Sequence, residues 1–191
     1  MSPRTPQQLD KIRKERRKAI MDTSLEVFAE HSYESASISM IAKKVGISKG
    51  LMYNYFESKE DLLTTLMMDG LDEMFSLFDP NKDGVLTKEE LTYFIDEIFN
   101  LMSRKRNFYK LYFALMMQPA VWKLFERKIE EVITPFMKIL VDYYTKKGAE
   151  NPMLEAILIG AIFDGIGFNY VFNPDLYPLD DVKKLVIERF V

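Results

Sequence analysis

The apolar positions of this chain recur at helical spacing from Ala19 almost to its end, and short polar or Gly/Pro breaks cut them into helix-sized segments. Ala19, Ile20, Leu25, Phe28 and Ala29 mark a first helix over Arg16 to His31. Ile38, Ile41, Ala42 and Val45 mark a short second one that Ser37 can cap, and Gly46 ends it by supplying the left-handed backbone a sharp turn needs. Ile47 buries the turn, and Ser48 caps a third helix from about Lys49 to Phe56 with Met52 and Phe56 toward the core. Ser58 caps a fourth, with Asp61 three residues on as a shortened capping box. Further helices are predicted near Lys88 to Arg104, Asn107 to Met117, Ala120 to Lys147, Pro152 to Phe172 and Leu179 to Arg189, with breaks at Pro119, Gly148 to Pro152 and Asn173 to Pro178 and a bend at Pro135. The predicted fold is all-α: a three-helix, helix-turn-helix unit over residues 1–59, then a helical bundle over residues 60–191.

The second and third helices with the turn between them form a unit that can set one helix in the major groove of DNA. With Met52 and Phe56 inward, Lys49, Gly50, Leu51, Tyr53, Asn54 and Tyr55 are left for the groove. Lys49 and Asn54 can donate to base edges or phosphates, the two tyrosines can donate hydroxyls to phosphate oxygens, and Gly50 lets the backbone come close. Lys59 opposes the dipole at the start of its helix, so its position calls for another role.

This segment resembles, residue by residue, the DNA-binding domain of the tetracycline-repressor (TetR) family of bacterial transcription regulators. Ile41-Ala42, Gly46-Ile47-Ser48-Lys49-Gly50, Tyr53, Tyr55-Phe56, Ser58-Lys59-Glu60 and Leu62-Leu63 match the family pattern in order and spacing. Ser32 and Ala36 depart from it, standing where the family often has glycine and threonine, and Ala36 removes one phosphate-binding hydroxyl. The resemblance implies a homodimer on a palindromic operator, released when a small molecule enters the C-terminal bundle. It also implies DNA contacts from Ser37, Ser48, Lys49, Tyr53, Asn54 and Lys59, and a dimer interface made by the last two helices.

Charge changes the picture only when divided. The chain carries a formal net charge of −3, but residues 1–59 hold 11 Lys and Arg against 7 Asp and Glu, so the positive charge lies where the motif is. Arg13, Lys14, Arg16, Arg17 and Lys18 form a basic run suited to phosphate attraction. With no cysteine, disulfides and thiolate-held zinc are excluded, and the polar N-terminus lacks the apolar stretch of a signal peptide. Both fit a cytoplasmic protein. A single histidine and the lack of a phosphate-binding Gly loop or nucleophile elbow argue against an enzyme.

Residues 79–90, DPNKDGVLTKEE, match the EF-hand calcium loop. Asp79, Asn81 and Asp83 supply side-chain oxygens at alternate positions, Gly84 stands at the bend, Val85 offers its carbonyl, Thr87 a water-mediated contact and Glu90 two oxygens. Leu86 holds the apolar position that normally pairs with a second such loop, and no second loop is present in the sequence. A turn followed by a Thr87-to-Glu90 capping box accounts for the same residues without metal. No cofactor is required on the first reading and Ca²⁺ is a ligand on the second. A calcium-dependent helical interaction protein is accordingly the alternative to a DNA-binding regulator, as is a regulator tuned by calcium.

The bundle is rich in aromatic and methionine side chains. Phe113, Met116, Met117 and Trp122 suit an adaptable pocket for an apolar or aromatic effector, with Gln118 and Asp164 to orient it, although such stripes also build ordinary cores. Met153 to Phe172 is the most apolar stretch, yet Glu155, Asp164 and Asn169 argue against a membrane span. Ala156, Gly160, Phe163 and Gly167 share one face of small residues, the expected dimer contact.

Overall fold

The structure, a computed structural model, describes residues 5–191, and among them every regular element is an α-helix. In chain order these are α1 (Pro6–His31), α2 (Ile38–Val45), α3 (Lys49–Met52), α4 (Lys59–Phe75), α5 (Lys88–Arg104), α6 (Arg106–Met116), α7 (Pro119–Lys146), α8 (Pro152–Phe172) and α9 (Leu179–Phe190). Helix α1 begins well ahead of the expected Arg16. Thr5 and Gln8 close a reciprocal capping box and Pro6 presets the first turn, so the polar segment before the apolar stripe is helical too.

The caps read from sequence are in place. Ser37, Ser48 and Ser58 each accept a hydrogen bond from the amide three residues on, and Gly46 is left-handed at φ 80°. Helix α3 is shorter than the expected Lys49 to Phe56. After Met52 the backbone tightens, with Asn54 N donating to Leu51 O and Tyr55 N to Met52 O, before Phe56 N returns to Met52 O. Helix α7 is continuous through Pro135.

Two cores hold the chain together. The first joins α1 to α4 around Phe28, Ile41, Leu62 and Leu66, and it does not stop at residue 59: Tyr112, Leu115, Val121 and Phe125 from α6 and α7 complete it. Burying each such side chain is worth about 2 kcal/mol, so the helix-turn-helix is fastened to the bundle by the hydrophobic effect. The second core gathers α5, α7, α8 and α9 around Leu91, Ile95, Phe99, Tyr144 and Ile159.

Helix α8 shows a different outer face from the expected one. Ala156 and Gly167 are buried, and a methyl on Gly167 would stand 3.0 Å from the Phe113 ring. Phe163 meets Phe94 and Phe99 edge-on, and Gly160 is half-buried beside it in sequence register. Ala156, Phe163 and Gly167 therefore belong to the face that packs within the protomer, whereas Gly160 faces open space. The face turned outward carries Leu154, Ile157, Leu158, Phe168 and Phe172. The helix is long and apolar enough by length and composition to cross a membrane.

Candidate DNA-binding surface and effector cavity

Around α3 the packing separates two groups of side chains. Met52 and Phe56 are buried, while Lys49, Gly50, Tyr53 and Asn54 are exposed; Leu51 and Tyr55 are half-buried, Tyr55 against the first core. Ser37 and Ser48 use their hydroxyl oxygens as acceptors in the caps, at 3.2 Å from Met40 N and 3.1 Å from Leu51 N, which leaves each O–H proton available to a phosphate. The result is a short helix whose polar row stands clear of the protein, framed by two capping serines.

Lys59, for which the family pattern implies a DNA contact, makes its polar contacts within the protein. Its Nζ donates to Tyr33 O at 2.8 Å, Ala36 O at 2.9 Å and Glu34 O at 3.3 Å, and it stands 4.4 Å from the centre of the Tyr33 ring. All three ammonium N–H groups face the loop between α1 and α2, so Lys59 ties α4 to the helix-turn-helix. That bonding is the role its unfavourable place on the dipole called for.

The loop it holds is strained. Ser32, at the position where the family often has glycine, has φ 64° and ψ 155°, a region that side-chain-bearing residues rarely occupy. The second strap on this loop is Gln118, whose amide oxygen accepts from Tyr33 N at 2.7 Å and whose nitrogen donates to Phe28 O at 3.0 Å. Gln118 thus satisfies a free carbonyl in the last turn of α1 from the start of α7. It does not line the effector cavity, which corrects its expected role there.

The basic run on α1 is partly spent within the protein. Lys14 pairs with Asp10, Lys18 with Asp22, and Arg17 crosses to Asp69 of α4 at 3.4 Å while lying over the Phe56 ring. Lys14, Arg17 and Lys18 also border a cleft of about 850 Å³ between α1, α4 and the α5–α6 corner, where Arg104, Lys105 and Arg106 face them. Three acids, Asp22, Asp69 and Glu73, share this cleft, and Lys105 pairs with Glu73. Cations outnumber acids there two to one.

The bundle holds an apolar cavity of about 380 Å³. Phe113, Met116, Met117, Trp122 and Asp164, all expected there, line it, together with Leu71, Met74 and Phe75 of α4, Ile98 and Met102 of α5, and Phe163 and Phe168 of α8. Asp164 keeps an exposed edge, and desolvation by the apolar walls raises its pKa from the usual aspartate value.

Gly70 borders both the cleft and the cavity. A methyl there would meet Tyr112 at 2.9 Å, so the missing side chain keeps the wall between the two spaces thin. Two polar atoms near this wall lack partners: Tyr109 Oη, on the cavity side, and Arg106 Nε, on the cleft side, both buried. Burial first, and then the Glu73 carboxylate, push the Tyr109 phenol well above its usual range, so it stays a proton donor. Sequence reading placed Tyr109 in the aromatic lining of the bundle but missed Gly70 and Arg106, although Arg104-Lys105-Arg106 and a lone glycine inside a helical pattern were the available signals.

In the loop between α4 and α5, among the described residues, no group of three or more His, Cys, Asp or Glu side chains forms a ready-made metal cage. Asn81 Nδ2 instead donates to both Asp83 Oδ2 at 3.2 Å and Glu90 Oε1 at 2.9 Å, and Glu90 closes the capping box with Thr87. Val85 is exposed.

Comparison with known proteins agrees with this geometry. Residues 20–66 match the family model described as bacterial regulatory proteins, tetR family, and residues 70–98 match that of the EF hand domain. The fatty acid metabolism regulator protein of Bacillus subtilis is 26% identical over 181 residues, covering 90% of this chain and 92% of its own length. Two solved structures share the fold at 24% identity. The transcriptional regulator FadR of Bacillus subtilis, in complex with stearoyl-CoA, superimposes with a TM-score of 0.70 over 91% of this chain and 97% of its own. The fatty acid degradation regulator FadR of Bacillus halodurans does so with 0.68 over 91% and 96%. Residues 20–66 thus carry the DNA-binding domain described for the tetR family of bacterial regulatory proteins, and the chain is a DNA-binding transcription regulator.

Proposed function

We propose that the protein is a cytoplasmic repressor that binds a palindromic operator as a homodimer and leaves it when a long-chain acyl group carrying a phosphorylated head enters the bundle. The observation that carries the effector class is the pairing of an apolar cavity with a cation-rich cleft across the thin wall at Gly70. An acyl tail suits the cavity, an anionic head suits Lys14, Arg17 and Arg104 to Arg106, and the unpartnered Tyr109 Oη stands ready to donate to a carbonyl where the two spaces adjoin. Stearoyl-CoA, the ligand of the Bacillus subtilis regulator, has this chemistry. On DNA, Lys49, Tyr53 and Asn54 take the base and phosphate contacts, Gly50, Leu51 and Tyr55 fit against the groove, and Ser37 and Ser48 steady the flanking phosphates.

The outward face of α8 supports the homodimer. Leu154, Ile157, Leu158, Phe168 and Phe172 are each at least 40% exposed, a contiguous apolar stripe that a second copy can cover. Asp164 and Phe168 lie on this face and on the cavity wall, so the partner also closes one side of the effector site.

In vitro selection of bound DNA with the full-length protein supplies the operator, and fluorescence anisotropy on it tests the rest. Stearoyl-CoA is expected to release the DNA, with stearate or coenzyme A alone far weaker. Each accommodated pair of methylenes adds about 1.6 kcal/mol, roughly fifteenfold in affinity. Tyr53→Ala should weaken operator binding while the protein stays dimeric, and Leu158→Glu should yield monomers. Equal release by coenzyme A alone, or no dependence on chain length, overturns the assignment of tail to cavity.

A further inference from the structure

The cation-rich cleft does not end at the α5–α6 corner. Past Ser103 and Tyr170, which border both spaces, it runs into a groove of about 420 Å³ formed by the ends of α5 and α8, the α8–α9 turn and the start of α9. The function proposed above leaves this groove without an occupant. We propose that it receives the base of the effector's phosphorylated head, an adenine, set against the Tyr170 and Tyr177 rings with its amino group turned to Asp180. The proposal rests on the acyl-effector reading and assigns the part of that ligand which the reading leaves unplaced.

A change in lining separates the groove from the cleft. Along the cleft the walls carry six lysines and arginines, and along the groove they carry none. The two lysines that follow on α9 are already paired, Lys183 with Asp96 at 2.9 Å and Lys184 with Asp181 at 3.1 Å. A phosphate is therefore served by the cleft and not by the groove. The groove presents Tyr170, Tyr177 and two prolines as walls, with Asp180 and Asp181 as acceptors. A planar base with an N–H donor on its edge suits that set, because its faces take aromatic contact and its amino group takes a carboxylate. Asp180 is exposed and enters no ion pair among the described residues, which leaves its oxygens to such a donor.

The two rings are held before any ligand arrives. Tyr170 Oη donates to Ser103 Oγ at 3.3 Å, and Ser103 Oγ donates in turn to Phe99 O at 3.2 Å, which ties the α8 ring to α5 at the junction. Tyr177 stands in a turn closed by Tyr177 N to Pro174 O at 3.4 Å and Leu179 N to Tyr177 O at 2.8 Å, and prolines at both ends fix the backbone. The ring centres are 6.4 Å apart with planes at 60°, a wedge in which one ring can lie flat on a base while the other meets its edge. Both tyrosines are half-buried, so each keeps open surface. A site ordered in advance loses little affinity to ordering on binding.

The three spaces follow one another as the groups of such a ligand do. Cavity, thin wall at Gly70, cations and tyrosine pair correspond to acyl tail, thioester, phosphates and base, the sequence of groups in stearoyl-CoA. Ser103 is followed directly by Arg104-Lys105-Arg106, so the chain itself sets base and phosphate subsites side by side.

The test is calorimetric titration of the full-length protein with two ligands: stearoyl-CoA, and stearoyl-4′-phosphopantetheine, which keeps the tail and one phosphate but has no nucleotide. Tyr177→Leu removes the ring and keeps apolar bulk. It is expected to weaken stearoyl-CoA by roughly five- to 150-fold, the range of one base–aromatic stack, and to leave stearoyl-4′-phosphopantetheine unchanged. Tyr177→Phe, which keeps the ring, should bind both ligands as the wild type does. A second measurement needs no change in Tyr177. The deaminated analogue of stearoyl-CoA, with hypoxanthine for adenine, turns a carbonyl toward Asp180 and should bind wild type about two- to tenfold more weakly than stearoyl-CoA, a difference that Asp180→Ala removes. Undiminished stearoyl-CoA affinity in Tyr177→Leu, equal losses for both ligands, or no effect of deamination overturns the base subsite and leaves the acyl effector in place. Failure of both ligands to bind wild type overturns the effector reading itself, and the subsite with it.

Discussion

Replacing Lys59 with Met separates two roles that the family pattern and the structure assign to the same side chain. The substitution keeps the aliphatic stem and removes the ammonium, and with it hydrogen bonds of 2.8, 2.9 and 3.3 Å to Tyr33, Ala36 and Glu34 carbonyls. A hydrogen bond to a charged group contributes about 1.5–3 kcal/mol. The bond to Glu34 is exposed and adds little, since water replaces it, while the other two are partly buried and sit near the low end of that range. Adding about 0.5–1 kcal/mol for the contact with the Tyr33 ring, the expected loss is about 3–4 kcal/mol, near 10 °C in thermal midpoint for a chain of this size. Urea and thermal denaturation measure it. The salt dependence of operator binding then separates the two roles. A lysine on a phosphate lowers the slope of log K against log salt by about 0.9 when removed, whereas a lysine that only positions the loop weakens binding at all salt concentrations with the slope unchanged. Stability within about 0.5 kcal/mol of wild type together with a slope reduced by about 0.9 would refute the structural role.

Three further outcomes follow from the same region and from the cavity. Ser32→Gly relieves a φ of 64° and should raise stability by about 1 kcal/mol in urea denaturation, the low end of the strain at such positions because the freer unfolded chain offsets part of the gain; a loss of stability would show that the weak Ser32 to Ser35 contacts matter more. Gln118→Leu strands Phe28 O and Tyr33 N and should cost about 2 kcal/mol, and it should also reduce the drop in operator affinity that effector produces; full release by effector would exclude Gln118 from the coupling. The raised pKa of Asp164 means that the folded chain holds this proton more tightly than the unfolded chain. The contribution is therefore favourable below the ordinary carboxylate pKa and is lost as pH rises through the elevated value. Asp164→Asn should consequently gain stability over wild type at neutral pH and match it in acid, a convergence visible in denaturation midpoints against pH.

How far the sequence could be read depended on whether a feature was local. Helix caps at Ser37, Ser48 and Ser58 and the turn at Gly46 involve residues a few places apart, and each was legible from spacing alone. The exposed row Lys49, Tyr53 and Asn54 was legible for the same reason, since Met52 and Phe56 fix the inward face. The start of α1 was missed although it too is local. Thr5-Pro6 with Gln8 is a capping signal, but it precedes a polar stretch without the apolar periodicity that draws attention. Features that join distant segments were illegible. Gln118 looked like a pocket residue because it sits among pocket residues in sequence, while its partners Phe28 and Tyr33 lie far up the chain. On α8 the error was one of direction: the helix is apolar all round, so periodicity cannot say which side meets its own protomer, and small residues such as those at 156 and 167 suit close packing within a chain as well as between chains.

Helix α4 is the element through which these separate features act on each other. At 1.5 Å per residue its span from Lys59 to Phe75 is about 25 Å. Its first residue holds the helix-turn-helix loop, Gly70 separates cleft from cavity, its last two turns line the cavity, and its end feeds Asp79. A packed helix moves as a rod, so a ligand that displaces Met74 or Phe75 need not pass a signal from side chain to side chain. A tilt of roughly 5° about the cavity end displaces the Lys59 end by roughly 2 Å, comparable to the helix shifts that accompany switching. In a dimer the two ends move in opposition, and half-sites are spaced by the helical repeat of about 34 Å, so a mismatch of a few ångströms at each recognition helix suffices to break phosphate contacts. Gln118 makes this lever two-sided, because it holds the far end of α1 to the bundle while Lys59 holds the same loop to α4. An effector in the cavity then acts on operator affinity through this one rod, held to the loop by Lys59 and opposed there by Gln118.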